Sequence, residues 1–158
     1  MGLTLMQPSK LQLQHLFYLA IKIVARPENA PGEDANTPFD FNGVNIAEGV
    51  ELSVQDENKE DPKLFALKLR IVIENKEGKL APYDVDVEAA GIFVVIPSMP
   101  LAEREEFVLV NGCSVIYSAI RDQILTLTSR SARGQLILPT VTFLDYRGRV
   151  NQVTKQKV

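Results

Sequence analysis

The chain has 158 residues, 46% of them hydrophobic and 23% charged, with a net charge of -3. That mix is ordinary for a folded protein and excludes wholesale disorder or a concentrated basic surface for nucleic acid. A single cysteine, Cys113, excludes an intrachain disulfide, and the length predicts one domain over residues 1–158, with 1–10 and 147–158 as loose ends.

In chain order, the start shows no signal-peptide architecture, and Met6 stands where a myristoylation pattern needs Ser or Thr. The apolar run from Leu16 to Val24 is broken by Lys22 and is too short to span a bilayer. No membrane insertion and a cytoplasmic address are therefore predicted. From Leu11 to Ala25 a two-residue period predicts a strand, with Phe17, Leu19, Ile21 and Ile23 facing the core. Pro27, Pro31, Gly32 and Pro38 predict a loop. Phe39 and Phe41 then alternate with polar neighbours up to Ile46, and Val50 to Gln55 alternates again after Gly49. The two halves predict one interrupted strand, or a strand that crosses over.

Leu64 to Glu74 is the clearest strand, with Phe65, Leu67, Leu69, Ile71 and Ile73 on one face. After a hairpin loop at Asn75 to Gly78, Tyr83, Val85 and Val87 alternate with Asp84, Asp86 and Glu88, and the strand runs on to Ile96. Short connections predict antiparallel neighbours with one apolar and one wet face. Ser98 and Pro100 then open a short helix over Leu101 to Val110, which Asn111-Gly112 is expected to end. The main helix follows. Ile116, Ile120, Ile124 and Leu127 recur on one side, and Val115, Ala119 and Leu125 widen the apolar sector beyond what one sheet covers. A second subunit is expected to cover the remainder, with Ile116, Ile120, Ile124 and Leu127 at the oligomer interface. A weak helical pattern from Phe143 to Gln156 is interrupted by Gly148. Strands first and helices last is the α+β order: a four-stranded antiparallel sheet with a long helix packed on one face.

The chemistry-bearing residues are few. His15 is the only histidine and cannot make a multi-histidine metal site. Cys113 has no histidine partner indicated, and Gly112-Cys113-Ser114-Val115 is not a nucleophile elbow. No phosphate-binding loop of the Gly-x-x-x-x-Gly-Lys type occurs. The sequence thus predicts no catalytic residues, no metal and no cofactor. Asp84, Asp86 and Glu88 share one face of one strand, about 7 Å apart, too far to converge on one ion unaided. They read either as a solvated outer face or as a docking site for a basic partner.

Several of these segments together resemble the SecB protein-export chaperones. Tyr117, Ile120-Arg121, Ile124, Ser129-Arg130, Leu136, Leu138, Val141 and Phe143 match the spacing of that family's main helix and the segment after it. Ala90-Gly91-Ile92-Phe93 resembles the Gly-Gly-Ile-Phe ending its last strand, and Asn29-Ala30-Pro31 the Pro-Asn-Ala-Pro after its first. The chain departs from the family in Thr140-Val141-Thr142-Phe143, in its milder acidity, and in Lys22 and Arg26, which stand where the family is acidic.

The resemblance implies a non-enzymatic, ATP-independent holdase that binds unfolded or extended polypeptide clients, either for export or for one dedicated client such as an antitoxin. It also implies a homotetramer, a dimer of dimers. Phe39, Phe41, Val44, Phe143, Leu144 and Tyr146 are the residues expected to line the client groove. Asp84, Asp86 and Glu88 would then receive the SecA motor as a partner. The alternative is an oligomeric adaptor of the same fold that binds one folded partner.

Overall fold

The computed structural model describes residues 2–27 and 37–155. The predicted Asn29-Ala30-Pro31 stretch and most of the loop around it lie outside those residues. Four antiparallel strands form the sheet: β1 (Leu11–Ala25), β2 (Ala47–Val54), β3 (Leu64–Ile73) and β4 (Tyr83–Val95). One helix, α1 (Leu101–Thr128), follows them. A two-residue strand, β5 (Thr154–Lys155), adds in parallel beside β2, so the sheet order is β1-β4-β3-β2-β5. The predicted α+β architecture is observed, with β5 an addition to it.

The core lies between one face of the sheet and α1. Phe65, Leu67, Leu69 and Ile71 of β3 and Val85, Val87, Ala89 and Phe93 of β4 meet Val108, Leu109, Cys113, Ile116, Ile120 and Ile124 of the helix. All are buried, as strict alternation on the strands and a three-to-four spacing on the helix require.

The helix differs from the expectation at its middle. It runs unbroken for 28 residues, about 42 Å, through Asn111 and Gly112. Gly112 is buried, and a Cβ there would sit 2.7 Å from Leu67 Cδ2. The glycine is therefore a point of close approach between helix and sheet, and the helical hydrogen bonds carry across it at a cost of about 1 kcal/mol. Gly91 of β4 instead leaves room for a ring of its own strand, since a Cβ there would meet Phe93 Cε2 at 2.6 Å.

β1 departs more. Its register against β4 shifts between Leu13 and His15 and again between Tyr18 and Ala20. Each extra residue flips the side chains that follow to the other face. Leu16 opposite Gly91, Tyr18 opposite Ala89, Ile21 opposite Val87 and Ile23 opposite Val85 therefore share the helix face. Phe17, opposite Ala90, points to the outer face, so the expected core row of Phe17, Leu19, Ile21 and Ile23 does not exist. Phe17 is 43% and Leu19 51% exposed. The far edge of β1 has no strand beside it among the described residues.

Phe39 to Ile46 is not the first half of a strand. It is a loop with a turn at Asn42-Gly43 and one isolated bridge between Val44 and Gly78, and β2 begins only at Ala47. Gly43 takes a φ of 88°, which ends any ladder there. After α1, residues 136–143 run extended back along the helix. The expected terminal helix is reduced to two 3-10 turns, Leu144–Tyr146 and Val150–Gln152. Among the described residues no helix is long and apolar enough to cross a membrane.

Candidate functional site

One groove brings the loop before β2 together with the segment that follows α1. Its first wall is the Pro38–Asn42 loop. Asn42 donates its main-chain N–H to Asp40 Oδ1 at 2.9 Å, a turn that Asn and Asp favour. Lys79 donates to the Asp40 carbonyl at 2.5 Å and lies 4.7 Å over the Phe39 ring. The β3–β4 hairpin thus pins this loop. Phe39 and Phe41 meet edge to face at 4.9 Å, both half-buried. The Asp40 carboxyl is held below its ordinary value by the Asn42 N–H, then by Lys79.

The second wall is the extended segment Ile137–Thr140, held to α1 by polar groups. Leu136 donates its N–H to Thr128 Oγ1 at 2.9 Å. Arg121 Nε donates to the Leu138 carbonyl at 2.8 Å, and Tyr117 OH to the Pro139 carbonyl at 2.7 Å. Burial pushes the Tyr117 phenol up to about 12, so it remains a donor. Leu136 and Leu138 are buried, while Ile137 between them is 37% exposed. In an extended chain, successive main-chain groups point to opposite sides. Leu136 N–H and Leu138 C=O face the helix, so those of Ile137 face away from it. Among the described residues nothing bonds to them.

Between these walls lies a groove of about 620 Å3, completed by Ile46 and Arg121. Its lining is mainly aromatic, aliphatic and proline, with Asp40, Asn42, Arg121 and Thr140 as the polar members and the Ile137 main chain unbonded in one wall. Such a surface suits an extended apolar chain that can add as a strand beside Ile137. It holds no acid–base pair. Cys113 is buried at 0% exposure with its thiol pushed up to about 12 by that burial, so it is no nucleophile. Among the described residues no His, Cys, Asp and Glu side chains are grouped to hold a metal ion.

The expected groove residues are divided by the structure. Phe39 and Phe41 line it. Val44 turns instead to a hollow of about 740 Å3 that it shares with Arg70, Glu74 and Lys76. Phe143 is buried, edge to face with Tyr117 at 5.8 Å and stacked on Tyr146 at 5.9 Å. Tyr146 donates its OH to Glu48 Oε1 at 2.7 Å; burial first and this carboxylate second raise its phenol. Leu144 is exposed beside them without lining the groove. Ile46, Ile137, Leu138 and Pro139 were not anticipated. The buried–exposed alternation of Leu136-Ile137-Leu138 ahead of a proline was the available signal.

The other expected sites also change in meaning. Asp86 is gripped by Arg70 at 2.8 and 2.7 Å, which holds its carboxyl below the ordinary value. Glu88 pairs with Lys68 at 3.4 Å, and Asp84 accepts from Asn75 at 2.7 Å. A basic partner docking here must displace these internal partners. Ile116, Ile120 and Ile124 are fully buried within the one chain and cannot reach a second subunit. They stack on the sheet because they lie on the helix stripe that faces it. Leu127, with Val115, is left open to the outside.

The sequence model of a family described as SecB, preprotein translocase subunit SecB, matches residues 33–152. No curated protein matches the sequence. Among solved structures, the chain is similar to a Mycobacterium tuberculosis SecB-like chaperone, Rv1957, in complex with a ChAD peptide from the HigA1 antitoxin. The TM-score is 0.53 at 18% identity, covering 83% of this chain and 90% of that one. A Streptococcus agalactiae protein of unknown function aligns with a TM-score of 0.49 at 13% identity, over 82% of this chain and 97% of that one.

Proposed function

The chain belongs to the SecB family, and from that premise we propose that it is a chaperone that holds extended polypeptide segments in the Phe39–Ile137 groove without ATP and without catalysis. The carrying observation is the groove itself: two half-buried aromatic rings face a wall with free main-chain donors and acceptors. Each large apolar client side chain gains roughly 1.5–3 kcal/mol when fully buried. Three or four anchors, less the cost of ordering the chain, leave on the order of micromolar affinity. A dedicated client such as an antitoxin fits the same reading. The fold-related mycobacterial chaperone was solved with an antitoxin peptide.

The work is proposed to take place in the cytoplasm and in an oligomer built on the open edge of β1, where Phe17 and Leu19 are exposed. The test is aggregation of a chemically denatured enzyme on dilution, followed by light scattering. Stoichiometric protein should suppress it without nucleotide, and Phe39→Ala with Phe41→Ala should weaken suppression about tenfold or more. Phe143→Ala should instead act through stability, because that ring is core. Failure to slow the aggregation of several unrelated substrates, while one folded protein is bound tightly, would replace the holdase with an adaptor.

A further inference from the structure

Residues 2–9 stand outside the sheet, and their apolar side chains touch little. Leu3, Leu5 and Met6 are 92%, 88% and 93% exposed, the barest large apolar residues of the described chain. Three such side chains close together on one short segment are costly in water. The pattern Leu3-Thr4-Leu5 alternates apolar and polar, which is the pattern a strand needs to add beside Ile137. Resting on the groove reading above, we propose that this arm occupies the groove of a second copy of the chain and competes there with clients.

The arm cannot serve its own groove. Lys10 is fixed at one end of the sheet by the Ile96 N–H, which donates to its carbonyl at 3.1 Å. Leu11 pairs with Val95, while the groove lies toward the Tyr83 end, where Lys79 holds the Phe39–Phe41 loop. The 13 residues of β4 between those ends span about 40 Å. Leu3 stands seven residues before Lys10 and reaches at most about 25 Å, and Met6 stands only four before it. The groove also lies on the β2 side of the helix, while β1 runs along the other, where Tyr18 OH donates to the Ala119 carbonyl. Nor does the arm simply lengthen β1 against a partner strand. Pro8 has no N–H to give a ladder and separates the arm from the strand. An apolar arm out of reach of its own groove, and parted from its own sheet by Pro8, finds its complement in another copy.

The experiment uses the full chain carrying Leu3→Ser, Leu5→Ser and Met6→Ser together, which alters only exposed side chains. Two fluorescent probes are titrated by anisotropy: a peptide of residues 2–9, and an extended client peptide, Phe-Thr-Leu-Thr-Phe-Lys. The triple-serine protein should bind both in mutual competition, and Phe41→Ala added to it should weaken both several-fold. Its affinity for the client peptide should exceed that of the unaltered chain by about threefold or more, because the tethered arms no longer compete. Client binding without any binding of the arm peptide overturns the arm proposal and leaves the groove reading standing. If the triple-serine protein itself binds neither peptide, the groove reading falls with the proposal. Arm binding that Phe41→Ala leaves unchanged places the arm elsewhere and also overturns the proposal.

Discussion

Arg104 carries more of this fold than any catalytic-looking residue does. It is buried, and its guanidinium donates to the Met99 carbonyl at 2.9 Å, the Pro62 carbonyl at 2.9 Å, the Pro97 carbonyl at 3.2 Å and Asp61 Oδ1 at 2.6 Å. One planar fork thus ties the start of α1 to the end of β4 and to the β2–β3 turn. Arg104→Met keeps the volume but orphans buried carbonyls. We expect a loss of about 3 kcal/mol in a urea titration, with oligomeric state unchanged. None of this was legible in the sequence, where an Arg after Glu103 reads as a solvated helix charge. The partners lie 5 to 43 residues away, and only the fold brings them together. Phe39 and Phe41, by contrast, line the groove, where the resemblance implies aromatic residues, although their alternation reads as half a strand. Phe143 carried the same signal and is core; sequence cannot tell an aromatic that closes the core from one that opens a groove. The carboxylates permit a pH prediction. Asp86 is lowered by its hydrogen bonds from Arg70, and Asp61 by those from Lys63 and then Arg104. A carboxyl lowered by folding contributes stability in full above its unfolded value, near pH 4, and loses it as pH falls through the folded value. Urea midpoints should therefore fall on acidification below about pH 4, and Asp86→Asn should flatten that fall.

At the scale of elements, β3, β4 and the helix stripe were readable because each keeps a single period from end to end. β1 was not, because two register shifts interrupt its period and sequence alone does not show which neighbour absorbs the extra residue. The sequence predicts two helices because Gly is a weak helix former and Asn111-Gly112 is a turn pair. Tertiary packing overrides that local preference, since the missing side chain lets α1 settle on Leu67 and Phe93. The consequence is testable. Gly112→Val gains helix propensity but pushes a branched side chain into a sealed contact. It should lower stability by about 1–3 kcal/mol, seen as an earlier chemical midpoint. A neutral or stabilising effect would show that Gly112 is a tolerated defect rather than a point of close approach.

For the whole molecule, the apolar sector of α1 is wider than the sheet covers, since Val115 and Leu127 stay open. The sheet takes Ile116, Ile120 and Ile124 entirely, and more of the open apolar surface lies on β1, at Leu13, Phe17, Leu19, Ile21 and Val24. If the assembly is built there, Phe17→Lys with Leu19→Lys should break it without unfolding the chain, because both side chains are already exposed. Light scattering should then fall to the mass of one chain with an unchanged far-ultraviolet spectrum. An undiminished mass would move the interface to Val115 and Leu127 on the helix.

The two borders of the sheet are not equivalent. β5 lies along β2 at Glu51 and Leu52, and Tyr146 reaches Glu48 on the same strand. β1 has no such cover among the described residues. A sheet open on both borders can recruit copies without limit and grow into a fibre. With β2 covered at Glu51 and Leu52, a copy that joins through β1 leaves no fully open border for the next, which favours a two-fold pair. Two residues near the C-terminus would then decide between a finite particle and an endless ribbon.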